Sequence, residues 1–75
     1  MIDKVKAILS EHSGVSVDDM SESTELAADL GLNSLDVVNI VVAFEDEFDI
    51  EIPDSGIKSL RNIGDIVVYL NRALK

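Results

Sequence analysis

The residues with the clearest chemical potential form one short segment, Gly31-Leu32-Asn33-Ser34-Leu35-Asp36, which places a serine where an irregular stretch gives way to a predicted helix. Residues 7–57 contain thirteen aspartates and glutamates, one histidine and no lysine or arginine. Because no nearby base or cation in the sequence could activate the hydroxyl, Ser34 is poorly suited to act as a nucleophilic catalyst. We interpret Ser34 as an attachment point that another enzyme modifies.

Two other chemistries fit the sequence less well. A hydrolase built from Ser34, His12 and an aspartate would need a preorganised pocket and oxyanion donors, which so small a fold seldom provides. A calcium loop is also disfavoured, since residues 46–49 lack the alternating oxygen ligands and central glycine of an EF-hand loop. We therefore expect no catalytic residues and no metal site, and interpret His12 as a solvent-facing or cap residue at the end of the first helix.

Length and charge restrict the class of protein. A chain of 75 residues predicts one domain, residues 1–75, with a small core that buries only ~60% of the unfolded surface. The apolar fraction of 47% favours a folded chain, whereas the net charge of −9 implies self-repulsion. This charge argues against nucleic acid as a partner and favours a basic protein surface.

The sequence also bears on location. It contains no cysteine, which excludes disulfides and thiolate metal sites and makes a cytoplasmic setting natural. Charged residues interrupt the apolar ones at the start of the chain, so we expect neither a signal peptide nor a membrane span.

The elements that position Ser34 are predicted to be helices joined by loops. Apolar residues at helical spacing predict a first helix from Ile2 to about Ser13-Gly14. Residues 15–32 lack sustained periodicity and predict a long ordered loop with one or two helical turns. Its apolar residues are expected to contact the core: Val15, Val17, Met20, Leu26, Leu30 and Leu32.

The second helix has the clearest start signal. Asn33 and Asp36 have the spacing of a capping box, in which each side chain satisfies a backbone donor of the first turn, and the helix is predicted to run to about Phe48. One face is expected to pack inward: Val38, Ile40, Val41, Phe44 (or Glu45) and Phe48. The other face carries Leu35, Asp36, Asn39, Val42, Glu45, Asp46 and Asp49.

Two further helices complete the prediction of an all-α fold. Pro53 precedes a short third helix, which Asp54 or Ser55 is expected to cap and Gly56 to weaken and leave mobile. Asn62 and Asp65 repeat the capping-box spacing at the start of the last helix. Its buried stripe is predicted to contain Ile63, Ile66, Val67, Leu70 and Leu74.

From Asp29 to Leu70 the chain resembles an acyl carrier protein of the bacterial type II fatty-acid synthase kind. The resemblance depends on the Asp-Leu-Gly-x-Asn-Ser-Leu-Asp opening, the acid-rich residues 45–48 and the Ile-Pro-Asp exit at residues 52–54. It implies a four-helix bundle, with three longer helices and a short third one, whose interior can admit an acyl chain. It also implies that 4'-phosphopantetheine from coenzyme A is esterified to the matching serine, Ser34, and carries acyl groups as thioesters.

The same resemblance implies the partners: a phosphopantetheinyl transferase (holo-carrier synthase) and fatty-acid synthesis enzymes with basic patches. We expect these enzymes to bind the second helix through Leu35, Asp36, Asn39, Val42, Glu45 and Asp46, and the carrier to be a monomer. A phosphodiester on Ser34 would also be favoured physically, because it would lie at the positive end of that helix.

Two departures from the family pattern stand close to Ser34. Asn33 replaces the usual aspartate and Asn39 replaces a common glutamate, which leaves the cap intact but could shift partner preference. A carrier for a polyketide, D-alanyl or peptidyl pathway remains an alternative, although the absence of a Gly-Gly-x-Ser motif counts against the peptidyl case. The third interpretation is an acidic helical interaction domain that is never modified.

Overall fold

A computed structural model describes residues 1–74 and confirms the predicted all-α fold. Within these residues the single β-bridge joins Glu25 and Asn62, and no helix is long and apolar enough to cross a membrane. Residues 1–74 contain four α-helices: α1 (Ile2–Ser13), α2 (Ser34–Phe48), α3 (Asp54–Lys58) and α4 (Ile63–Ala73).

Helix α1 follows the sequence prediction closely. It ends at Gly14, whose φ of 75° is left-handed and whose N–H donates to the Ser10 carbonyl at 2.9 Å. Val5 and Leu9 are fully buried. The helix contacts α2 and α4, so the three longer helices surround a common core.

The long connection between α1 and α2 is ordered, as predicted, and contains a 3₁₀ turn at Val17–Asp19. Met20, Leu26, Leu30 and Leu32 are buried, and Val15 is half-buried. The prediction for Val17 was wrong, because its side chain is 40% exposed on the turn.

Helix α2 begins and ends as predicted, but its core face is rotated from the expected one. Ile40, Val41 and Phe44 are buried, whereas Val38 is 45% exposed. The prediction for Val38 was wrong because apolar residues occur on both sides of this helix, so their periodicity does not identify the buried side. Val37 is half-buried in its place.

Helix α3 is short, as predicted, but the predicted cap is wrong. Pro53 occupies the N-cap position and no side chain caps the helix, because Asp54 is already its first residue. Gly56 is buried against α4: a Cβ there would lie 2.7 Å from the Tyr69 hydroxyl oxygen and 2.9 Å from two ring carbons. Glycine therefore permits close packing of α3 on the Tyr69 ring.

Helix α4 starts at the predicted capping box and packs Ile63, Ile66 and Leu70 into the core. Val67 is half-buried. The prediction that Leu74 is buried was wrong, since it is 45% exposed beyond the end of the helix.

Candidate functional site

The capping box at the start of α2 determines the position of Ser34. The Asp36 N–H donates to Asn33 Oδ1 at 2.9 Å, and the Asn33 N–H donates to Asp36 Oδ2 at 3.2 Å. Ser34 is the first residue of the helix and its side chain is exposed. Because Asn33 provides the side-chain cap, the Ser34 hydroxyl is not needed for that role.

The first backbone donors of α2 remain open. Among residues 1–74, no acceptor is bonded to the N–H of Ser34 or Leu35, and the first backbone bond of the helix runs from the Val37 N–H to the Asn33 carbonyl at 3.0 Å. Free N–H groups and the helix dipole make this end of α2 locally positive. An anionic group attached to Ser34 would be favoured there.

A groove of about 370 Å³ adjoins the serine. It lies between the end of the long loop, the first turns of α2 and helix α3. Its lining is mostly apolar and includes Val38, one of the residues wrongly predicted to be buried. The lining residues are Ala27, Leu32, Asn33, Ser34, Val37, Val38, Ile57 and Lys58. The groove could shelter an apolar chain attached at Ser34.

The charge of this groove differs from that of the whole chain. The protein has a formal net charge of −9, yet the lining contains no acidic residue and one basic residue, Lys58. Sequence reasoning missed Lys58 because it is 24 positions from Ser34 and shares no motif with it. Only the packing of α3 against α2 brings the two residues to one groove.

Four of the six predicted partner-binding residues are exposed on α2. Leu35 is 68% exposed and Val42 is 50% exposed, and Asn39 and Asp46 are also exposed. Val38 adds a third exposed apolar side chain to this surface.

The other two predicted partner-binding residues also have structural roles. Asp36 is half-buried in the capping box. Glu45 is half-buried, and its Oε2 accepts a hydrogen bond from the Ile52 N–H at 2.8 Å. This bond holds the exit of α2 against the following segment, a role that no sequence pattern indicated.

The remaining candidate residues lie elsewhere. His12 is exposed in the last turn of α1. Among residues 1–74, no three carboxylate or imidazole side chains are grouped so that they could hold a metal ion.

Comparisons with known proteins agree with this geometry. Residues 3–70 match the family described as "Phosphopantetheine attachment site". The structure is similar to that of the acyl carrier protein from Enterococcus faecalis, with a TM-score of 0.83 and 29% sequence identity. The similarity covers 96% of this chain and 91% of the Enterococcus chain.

Proposed function

The chain belongs to the phosphopantetheine-attachment family of acyl carrier proteins, and we propose that Ser34 is the residue to which 4'-phosphopantetheine is attached. Members of this family are carriers without catalytic activity, and the domain holds the group covalently. The carrier role requires acyl chains as cargo and a phosphopantetheinyl transferase as a partner.

The exposed hydroxyl at the start of α2 is the observation that carries the proposal for Ser34. A transferase needs an accessible hydroxyl on a rigid segment, and the Asn33–Asp36 box provides that rigidity. In the transfer, Ser34 Oγ forms a phosphodiester bond as the pyrophosphate bond of coenzyme A breaks. Adenosine 3',5'-bisphosphate leaves, and the transferase accepts the hydroxyl proton, because no base of this chain is assigned to that step.

The residues around Ser34 suit the attached group. Open N–H groups and the positive end of α2 favour its phosphate, and the apolar groove offers shelter to an acyl chain. When attached, the group supplies a terminal thiol that holds acyl groups as thioesters. The contribution of this chain is to present the group and to exclude water from part of the cargo.

The attachment is tested by intact mass after incubation with coenzyme A and a phosphopantetheinyl transferase. We expect the wild-type chain to gain one phosphopantetheine and Ser34→Ala to gain none. Ser55→Ala is the matched control, because Ser55 is also an exposed serine in the first turn of a helix. A wild-type chain that stays unmodified with several transferases, or a modified Ser34→Ala chain, contradicts the proposal.

We further propose that the pathway served is fatty-acid synthesis, in the cytoplasm, with the exposed face of α2 as the docking surface. Exposed apolar side chains lie there together with the acidic Asp46, which suits a partner with a basic patch and a small apolar contact. Leu35, Asn39, Val42 and Asp46 are available for this contact, and Asp36 and Glu45 contribute charge while they keep their structural bonds. The encounters should be fast, weak and sensitive to salt.

A pair of loading assays separates fatty-acid synthesis from the D-alanyl pathway. The modified carrier is offered malonyl-coenzyme A with a malonyl transferase of fatty-acid synthesis, and in parallel D-alanine and ATP with a D-alanyl ligase. We expect efficient malonyl loading and little D-alanyl loading. The reverse order would assign the carrier to the other pathway while leaving the attachment at Ser34 intact.

A further inference from the structure

We propose that Lys58 and Asn33 form a phosphate subsite that holds the phosphodiester of the attached group on the α3 side of Ser34. The inference rests on the proposed attachment at Ser34. It assigns a role to two side chains that share the groove with the serine. It also gives α3, the shortest helix of the fold, a function in positioning the cofactor.

Lys58 is suited to this role by its surroundings. It is exposed at the end of α3 and is the one charged residue in the groove lining. Among residues 1–74, the one ion pair joins Lys4 and Glu47 at 3.5 Å, so no carboxylate of this part of the chain pairs with Lys58. In a chain with a net charge of −9, an unpaired ammonium on a residue that shares the groove with Ser34 is available for an anion.

Asn33 contributes a neutral donor on the same groove. Its Oδ1 accepts the Asp36 N–H at 2.9 Å, which leaves the side-chain NH₂ group as a donor. An aspartate would cap the helix about equally well but would place a negative charge beside the phosphodiester. Asparagine therefore keeps the cap while removing a repulsion from the subsite.

The covalent attachment makes such a subsite effective. Contacts between exposed charges are weak and are screened by salt. Here the phosphodiester is tethered at Ser34, so its local concentration near Lys58 is high and no association step opposes the contact. The result would be a preferred direction of the group toward α3 and the groove, in place of a freely rotating tether.

A thermodynamic cycle isolates this contact. The melting temperature, Tm, of the apo and phosphopantetheine-bearing forms is measured for the wild type, Lys58→Gln and Arg72→Gln. Arg72 is the matched control, an exposed basic residue in the last turn of α4 that is not part of the groove lining. The apo-to-holo change in Tm should be more positive in the wild type than in Lys58→Gln by about 2 °C. In Arg72→Gln this change should equal that of the wild type.

Asn33→Asp supplies a second arm of the same cycle. The Tm of its apo form should stay close to that of the wild type, because the cap is retained. The apo-to-holo change in Tm of Asn33→Asp should also be less positive than that of the wild type by about 2 °C. In about 1 M NaCl, where the screening length is about 3 Å, both differences should disappear. Amide NMR shifts of Lys58 and Asn33 between apo and holo wild type give a readout that needs no variant.

The outcomes distinguish the two proposals. An unchanged mass after the transferase reaction overturns the attachment at Ser34 and the subsite together. Complete modification at Ser34, with equal apo-to-holo changes in all variants and no amide shift at Lys58, overturns the subsite alone. Complete modification with the Lys58-dependent change and the Asn33-dependent change supports both.

Discussion

The starts of α2 and α4 use the same capping box for different purposes. Each begins with an asparagine whose Oδ1 accepts the N–H of an aspartate three residues later, at 2.9 Å for Asn33 and 2.8 Å for Asn62. Each aspartate in turn accepts a hydrogen bond from the asparagine N–H. The two local structures are alike, so the difference between the two ends must come from their surroundings.

The start of α4 is tied into the long loop. The N–H of Ile63 donates to the Thr24 carbonyl at 3.1 Å, and the N–H of Gly64 donates to the Glu22 carbonyl at 2.8 Å. A Cβ at position 64 would lie only 3.2 Å from the Glu22 carbonyl oxygen. Because Gly64 has no Cβ, the loop can approach the start of α4 this closely. Ile63 itself is fully buried. The first two backbone N–H groups of α4 are therefore hydrogen-bonded to carbonyl groups of the long loop.

The start of α2 leaves the equivalent positions free. Ser34 and Leu35 occupy the places of Ile63 and Gly64, are exposed, and donate to no backbone acceptor among residues 1–74. A capping box therefore specifies where a helix begins but not what that end does. A covered end stabilises the bundle, and an open end can hold an anionic group.

Substitution of the first helical residue should show the largest contrast. Ile63→Ala removes a fully buried side chain and should lower the free energy of unfolding by about 2–5 kcal/mol. Ser34→Ala should change it by less than about 0.5 kcal/mol, because the side chain is exposed. Urea denaturation of both variants measures this, and equal losses would contradict the division into a structural end and a functional end.

Removal of the two caps should give a smaller difference in the same direction. Asn62 is half-buried beside an aspartate that also accepts the Arg61 N–H at 3.1 Å, so Asn62→Ala should cost about 1–2 kcal/mol. The exposed Asn33 should cost about 0.5–1 kcal/mol when replaced by alanine. The measurement is the urea concentration at the midpoint of unfolding for each variant, compared at the same dependence of the free energy of unfolding on urea concentration. A greater loss for Asn33→Ala would show that the start of α2 contributes more to stability than its exposure indicates.

Exposed apolar residues on the two helices should differ in binding and not in stability. Leu35→Ala should weaken binding of the transferase about fivefold, on the order of 1 kcal/mol, since Leu35 is 68% exposed beside the attachment point. Val68→Ala is the control, because Val68 is 52% exposed on α4. Titration of each variant with the transferase tests this. Equal affinities would remove Leu35 from the proposed docking surface.

Salt should produce the smallest effect, a rise in Tm of a few degrees. Magnesium or monovalent salt at neutral pH should relieve the repulsion implied by the net charge of −9. The rise should be smaller in Asp46→Asn, which removes one exposed charge from α2. Thermal melts over a range of salt concentration measure both. An unchanged melting curve would show that repulsion does not limit stability.

Local signals made the helix boundaries predictable. The Gly14 terminus and both capping boxes are short-range patterns, and each appears in the structure where the sequence places it. Buried sides were less predictable. Val38 and Val17 were assigned to the core but are exposed, Val38 in the lining of the groove at Ser34 and Val17 on the 3₁₀ turn. Sequence spacing alone does not show whether an apolar residue is buried.

Residues 31–36, read alone, were enough to determine the start of α2 and the position of Ser34 on it, since a capping box acts over four residues and needs no distant partner. Tertiary structure alone decided which of the two capped ends stays open and which basic residue shares the groove with Ser34. The loop covers the start of α4, and the packing of α3 brings Lys58 to the groove at Ser34. Both depend on contacts between segments far apart in the chain, which no local pattern encodes.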